Sequence, residues 1–294
     1  MDQYLTVFIT VAEKQSFSRA AEVHLMTQPA VSQYIRTLEE RMGIKLLERS
    51  NKYVYLSKAG EIVYSYAKEI MALYDNMRDQ VNDLSQSPSG ELKIGASYTF
   101  GEYVLPHVIS QTLHYYPDIK PNVTIDNTEE IMHLVETRQL DIGIIEGKVS
   151  HKSIKKTIFA EDSMVIVASP SHPLAQLSYV TTEQLALQNW IVREHGSGTR
   201  EAMDKVFKLL AIEPHKLLHY SSTQPIKTSV ESGIGLSVLS TWAIKKELAR
   251  NELIIINTEK LPLQRSFAYL EHSSLRTKAL QAFIDIMQQH VDQL

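Results

Sequence analysis

Apolar residues in the first sixty positions return at helical intervals. Tyr4, Leu5, Phe8, Val11 and Ala12 step by three and four, which predicts a helix over 2–14 with one apolar face. Ser18 reads as the N-cap of a short helix over 19–23, whose alanines Ala20 and Ala21 would let a second helix cross closely. The chain turns near His24-Leu25-Met26. Thr27 is the next candidate N-cap, and Pro29 falls in the first turn, where a missing N–H costs nothing. The helix over 28–42 is amphipathic, with Ala30, Val31, Ile35 and Leu38 inward and Gln28, Ser32, Gln33 and Arg36 on the other side.

Further on, Val63, Tyr66, Ile70, Leu73, Met77, Val81 and Leu84 recur close to a heptad spacing. That seam fits a coiled-coil-like pairing of two chains or a helix packed on its own body. Ser85-Gln86-Ser87-Pro88-Ser89-Gly90 breaks the pattern and marks the clearest boundary. Beyond it the period changes. Short apolar runs at 92–95, 123–127, 141–145, 164–168, 191–193, 235–239, 253–257 and 267–271 predict strands. Amphipathic stretches at 104–114, 129–138 and 275–294 predict helices, the last with Leu280, Phe283, Ile284, Met287 and Val291 on one face. Such interleaving implies α/β domains whose sheets are covered on both faces.

A chain of 294 residues accommodates two or three domains. The absence of cysteine excludes disulfides, thiolate zinc sites and iron–sulfur clusters. Met1-Asp2 opens without a basic stretch leading into an apolar one, and the longest apolar runs fall far short of the ~20 residues of a membrane helix. A cytoplasmic location with no membrane partner is the expectation. Charge is uneven. Residues 1–60 carry eight Lys/Arg against six Asp/Glu, so with −4 overall and +2 here the remainder carries −6. A mildly basic head on an acidic body suits nucleic-acid contact. On the helix over 28–42, Gln is suited to adenine's edge and Arg to guanine or phosphate; a three-helix bundle with a polar outside fits the spacing equally.

Three predicted strand-to-helix junctions carry hydroxyls: Gly95-Ala96-Ser97-Tyr98-Thr99, Gly196-Ser197-Gly198-Thr199-Arg200 and Ser221-Ser222-Thr223-Gln224. Each is a plain N-cap or, taken together at strand ends, part of a ligand crevice for a small anion. Ser97, Tyr98, Thr99, Ser197, Gly198, Thr199 and Thr223 are the candidates. Glu146, at a strand exit on the same side, contacts an amine, repels the wrong anion or is a surface acid. Enzyme signatures fail. The run Gly143 to Val149 is one residue short of a phosphate loop and ends in Val where Ser/Thr is required. Gly196-Ser197-Gly198 is not a nucleophile elbow. No His pair stands beside a Glu at metal-ligand spacing, so no catalytic residue, metal or cofactor is expected.

The ordered run Ser16-Phe17-Ser18-Arg19-Ala20-Ala21 … Thr27-Gln28-Pro29-Ala30-Val31-Ser32-Gln33-Tyr34-Ile35-Arg36-Thr37-Leu38-Glu39, continued by Gly43-Ile44-Lys45-Leu46-Leu47-Glu48-Arg49 and Leu56-Ser57-Lys58-Ala59-Gly60, resembles the winged helix-turn-helix of LysR-type transcriptional regulators. Looser matches at 140–145 and 230–239 extend the resemblance over nearly the whole chain. It implies a mixed fold: an N-terminal all-α-type winged helix-turn-helix plus linker helix, then an α/β, periplasmic-binding-protein-like effector domain of two subdomains. The implied boundaries are 1–58 for the DNA-binding domain, 59–87 for the linker and 88–294 for the effector domain, with 91–161 and 265–294 in one subdomain and 162–264 in the other. The helix-turn-helix would run over 18–37 from Ser18, with Thr27, Gln28, Pro29, Ser32, Gln33 and Arg36 facing the groove. The wing, 49–56, would offer Arg49 and Lys52 to phosphates. Tyr53 and Tyr55 stand there where basic residues are common, which implies a shallower salt dependence.

The family also implies an interrupted palindromic duplex site, a homodimer assembling to a homotetramer, contact with RNA polymerase and a small anionic effector. Bodies opening like this one, with Gly-Ala-Ser-Tyr-Thr-Phe-Gly-Glu-Tyr, resemble regulators of sulfur or carbon assimilation. A binding module whose head contacts only proteins, and an enzyme using the cleft, are the competing readings.

Overall fold

The computed structural model describes residues 2–49, 54–82, 87–147, 154–272 and 276–292. They form two compact units, one mainly of residues 1–84 and one of residues 85–136 and 140–294.

In the first unit, α1 (Asp2–Lys14), α2 (Phe17–Val23) and α3 (Gln28–Met42) share one core. Leu5, Val7, Phe8 and Val11 meet Ala20, Ala21, Val31, Ile35 and Leu38 there, as the helical period requires. The cap of α2 is Ser16, whose hydroxyl accepts from Arg19 N, and not Ser18, which is exposed in the first turn. Phe17 decides between the two serines by burying its ring as the first helical residue. Thr27 caps α3, Pro29 lies in its first turn, and Gly43 ends it in the left-handed conformation at φ 69°. The inner side of α3 is less uniform than predicted, since Ala30 is only half-buried and Glu39 is buried.

Glu39 organises the wing's base. One oxygen accepts from Leu46 N at 3.0 Å and Leu47 N at 3.3 Å, and the other from Lys45 Nζ at 2.6 Å. Burial raises the Glu39 carboxyl, but the Lys45 and backbone hydrogen bonds outweigh it and hold the group below the usual range. The wing is the antiparallel pair β1 (Leu47–Arg49) and β2 (Val54–Leu56), with Leu47 opposite Leu56. Next comes α4 (Lys58–Asn82), about 37 Å long at 1.5 Å per residue. Its first half packs on α1: Ala67 is buried, and Tyr64 Oη and Lys68 Nζ both donate to Glu13 at 3.1 Å. Val63 belongs to this packing and not to the seam; Leu84 lies outside the described residues. Tyr66, Ile70, Leu73, Met77 and Val81 are exposed.

The second unit begins with β3 (Gly90–Ser97), α5 (Tyr98–Tyr103), α6 (Leu105–Tyr115), β4 (Ile119–Asp126), α7 (Thr128–Glu136) and β5 (Ile142–Glu146). The helix predicted over 104–114 is α6, and α5 precedes it without having been predicted. Pro106 in the first turn of α6 cannot continue a preceding helix, so α5 forms separately straight after the strand. A long strand, β6 (Ile154–Ala168), then leads to α8 (Thr182–Ala186), β7 (Asn189–Arg193), α9 (Gly198–Leu210), β8 (Lys216–Tyr220), α10 (Thr223–Glu231), β9 (Ser237–Ser240), α11 (Thr241–Ala249) and β10 (Ile254–Ile255). The chain returns through β11 (Leu263–His272) and ends with α12 (Lys278–Val291).

Seven strands join in the order β10-β6-β11-β5-β3-β4, with β9 also on β6. β3 runs parallel to β4 and β5, and β11 antiparallel to β5 and β6. The parallel pair β7–β8 stands apart, linked by one bridge between Trp190 and Leu236. Apolar side chains collect on both faces at each end of the β6–β11 ladder. At one end Ile94, Ile144, Phe100, Val108, Phe283 and Met287 lie on one face, and Ile131, Val135 and Ile145 on the other. At the other end Ile166, Val238, Trp190 and Phe207 oppose Val165, Val167, Ile226 and Leu239. These are two lobes joined by two strands. The β6–β11 register shifts between Phe267 and Ala268, leaving Phe159 as an extra residue on β6.

Candidate functional sites

On the first unit, Gln28, Pro29, Gln33 and Arg36 are exposed along α3, and Ser32 is half-buried. Their polar atoms hold one another at one-turn spacing: Gln28 Nε2 donates to Ser32 Oγ at 2.8 Å, Gln33 Nε2 to Thr37 Oγ1 at 3.4 Å, and Arg36 Nε to Glu40 at 2.9 Å. Thr27 is exposed at the leading end, its hydroxyl accepting from Ala30 N. Ser18 is on α2, and Arg49 ends β1. Lys52 and Tyr53 lie outside the described residues.

In the second unit all three hydroxyl-bearing junctions begin helices. Ser97 and Thr99 come from the β3–α5 junction, Ser197 to Thr199 from the start of α9, and Thr223 from the start of α10. Ser97, Thr99, Glu146, Ser197, Thr199 and Thr223 are all buried. The Ser97 hydroxyl donates to Glu146 Oε2 instead of capping α5, and Thr99 Oγ1 lies 3.5 Å from Glu146 Oε1. Ser197 caps α9, accepting from Arg200 N at 3.4 Å. Gly198 is pressed against the Glu146 side chain, so closely that a Cβ there would overlap it.

The organising group was not among the sequence candidates. Arg265, on β11, is buried and reaches both lobes. One terminal nitrogen donates to Thr99 at 3.1 Å; the other lies 3.4 Å from both Thr199 Oγ1 and Glu146 Oε1. Its Nε donates to Asp162 at 2.7 Å, and Asp162 also accepts from Ser240 at 2.8 Å. A second buried guanidinium, Arg193 at the end of β7, gathers Tyr98 and Thr223. It lies 4.3 Å from the Tyr98 ring centroid, donates to Thr223 Oγ1 at 3.3 Å and is held by both Glu194 oxygens at 2.7 Å. Burial first, then the charge of Asp126, pushes the Tyr98 hydroxyl above its ordinary value. The cleft thus offers hydroxyls from both lobes and two guanidinium groups already engaged by acids. Among the described residues no group of three or more His, Asp or Glu is gathered as a metal site would need.

The family model described as "Bacterial regulatory helix-turn-helix protein, lysR family" matches residues 3–61, and that described as "LysR substrate binding domain" matches residues 85–292. The chain belongs to the LysR family. It is a DNA-binding transcriptional regulator whose second unit is an effector-binding domain. It is 38% identical to the "HTH-type transcriptional regulator CysL" of Bacillus subtilis (strain 168), over 96% of this chain and 95% of that protein. It is 32% identical to a "Probable RuBisCO transcriptional regulator" of Thalassiosira pseudonana, over 96% of this chain and 94% of that one. The structure of the Synechocystis PCC6803 CcmR regulatory domain in complex with 2-PG aligns with a TM-score of 0.64 at 26% identity, covering 70% of this chain and 99% of that one. No described helix of the LysR regulator is long and apolar enough to cross a membrane.

Proposed function

We propose that this regulator reads an interrupted palindromic duplex site with the outer side of α3 and responds to a small anion held between the lobes of its second unit. One observation supports the cleft above all others: the Arg265 guanidinium is within hydrogen-bond reach of a hydroxyl from each lobe, Thr99 and Thr199. A ligand drawing on the same donors gains contacts only when the lobes are together. It therefore biases the lobe arrangement by its difference in affinity for the two states. By this reading residues 1–58 bind DNA, 59–87 form the linker, residues 91–161 and 265–294 make one lobe, and 162–264 make the other. Thr27, Gln28, Pro29, Ser32, Gln33 and Arg36 face the groove with Ser18 behind them, while Arg49, Lys52 and Tyr53 follow the phosphates.

The exposed apolar row of α4 pairs two chains into a homodimer, as two half-sites require. Dimers assemble to a homotetramer that contacts RNA polymerase in the cytoplasm. The likeness to a "Probable RuBisCO transcriptional regulator", to CysL and to the 2-PG-bound structure supports a small anionic metabolite of carbon or sulfur assimilation. No catalytic step belongs to this reading. Gel-shift titration of the full-length protein on the promoter beside its own gene tests the DNA assignment. Gln28→Ala should weaken specific binding by about 1–3 kcal/mol, the worth of a good base contact. Unchanged sequence preference would remove α3 from the groove. A thermal-shift screen of small anions tests the cleft: one that raises the melting temperature of wild type should fail with Thr199→Val.

A further inference from the structure

Glu146 ends β5 and is 2% exposed. Its carboxylate receives the Ser97 hydroxyl, lies at hydrogen-bond reach of Thr99 and stands 3.4 Å from Arg265. Its stem presses on Gly198, the first residue of α9, where only a glycine leaves room. The donors an anion would use between the lobes are therefore already gathered around a carboxylate of the protein itself. Asp162 takes the remaining side of Arg265, so two acids share one base, and Arg193 nearby is held by Glu194. An anion added beside Glu146 as it stands would meet net negative charge in a buried setting, where charges act strongly.

We infer that Glu146 is a built-in occupant of the anion subsite and sets its specificity. Effector binding is an exchange: the incoming anion takes the hydroxyls of Ser97 and Thr99 and the face of Arg265, and the Glu146 side chain leaves them. Anions that cannot replace all of those contacts fail to displace it, so the carboxylate rejects weak acceptors. This inference rests on the effector reading above and adds to it a competitor inside the site.

The test is calorimetric titration of the full-length wild type, Glu146→Gln and Glu146→Ala with sulfate and with inorganic phosphate, at fixed ionic strength. The amide keeps the shape of Glu146 but competes poorly for Arg265, so Glu146→Gln should bind at least tenfold more tightly than wild type. Glu146→Ala should move the same way, and stands in should the first variant not fold. Equal or weaker binding by the folded variants, with binding to wild type still lost in Thr199→Val, overturns the exchange and leaves the cleft as an anion site. No binding by any of the proteins overturns the exchange and the anion reading together.

Discussion

Replacing Arg265 with Met removes a buried cation while nearly keeping its stem volume. Asp162, whose side chain has no exposure, then loses its charge-assisted bond at 2.7 Å, and Glu146 loses a cation at 3.4 Å. Thr99 and Thr199 lose a donor each, a smaller effect because hydroxyls rotate to new partners. Removing one partner of a buried ion pair strands the other and costs about 3–5 kcal/mol. With a urea dependence of about 3 kcal/mol/M, the unfolding midpoint should fall by roughly 1–1.7 M. The assay is built into the sequence: both tryptophans, Trp190 and Trp242, lie in the second unit, so emission follows that unit alone. Asp162→Asn combined with Arg265→Met should lose less than the two single losses together, by about 1–3 kcal/mol, because the stranded charge at Asp162 is gone. A single variant within 1 kcal/mol of wild type, or strict additivity in the double, would refute the claim that Arg265 neutralises this interior.

Three other outcomes follow from the first unit. Glu39 has a depressed carboxyl, so its stabilisation is present above about pH 4.3 and is lost as pH falls through its folded value. The protection of the Leu46 and Leu47 amides, taken against the intrinsic exchange rate at each pH, should therefore fall on acidification in wild type, whereas Glu39→Gln should show low protection already at neutral pH; equal protection in the two proteins would sink this. Gly60→Ala would drive a methyl into the Leu46 carbonyl, which is backbone and cannot swing away, so the wing must shift at a cost of about 1–3 kcal/mol. Weaker DNA retardation with unchanged tryptophan emission is the expected pattern, and full retardation contradicts it. Leu73→Asp puts a charge into the exposed apolar row of α4; sedimentation should show a shift toward monomer, and an intact oligomer would exclude that row as the contact.

The first unit was legible because its constraints are local. Caps, Pro29 and helical spacing are short-range signals, and one slip, Ser18 for Ser16, turned on whether Phe17 points inward. In the second unit the junction residues were readable because strand ends and hydroxyl clusters coincide in sequence. Arg265 and Asp162 were not, because each pairs with a residue about a hundred positions away. Their charges argue for the surface until the two strands are laid side by side. The first half of β6 was missed for a related reason: Lys155, Lys156, Glu161 and Asp162 break the apolar run that identified 164–168. The start of α6 at Pro106 was legible locally, whereas the six-residue α5 directly after β3 was missed.

The extra residue Phe159 has an arithmetic consequence. A strand's facing alternates with odd and even numbers, and inserting one residue exchanges the two sets. Ile154 packs with Ile131 and Val135 on one face of the sheet and Ala160 with Ile94 and Ile144 on the other, so the even positions of β6 change face at Phe159. Deleting Phe159 would bring the two halves of β6 into phase and turn one lobe's side chains toward the wrong packing layer, a far larger injury than losing one half-buried ring.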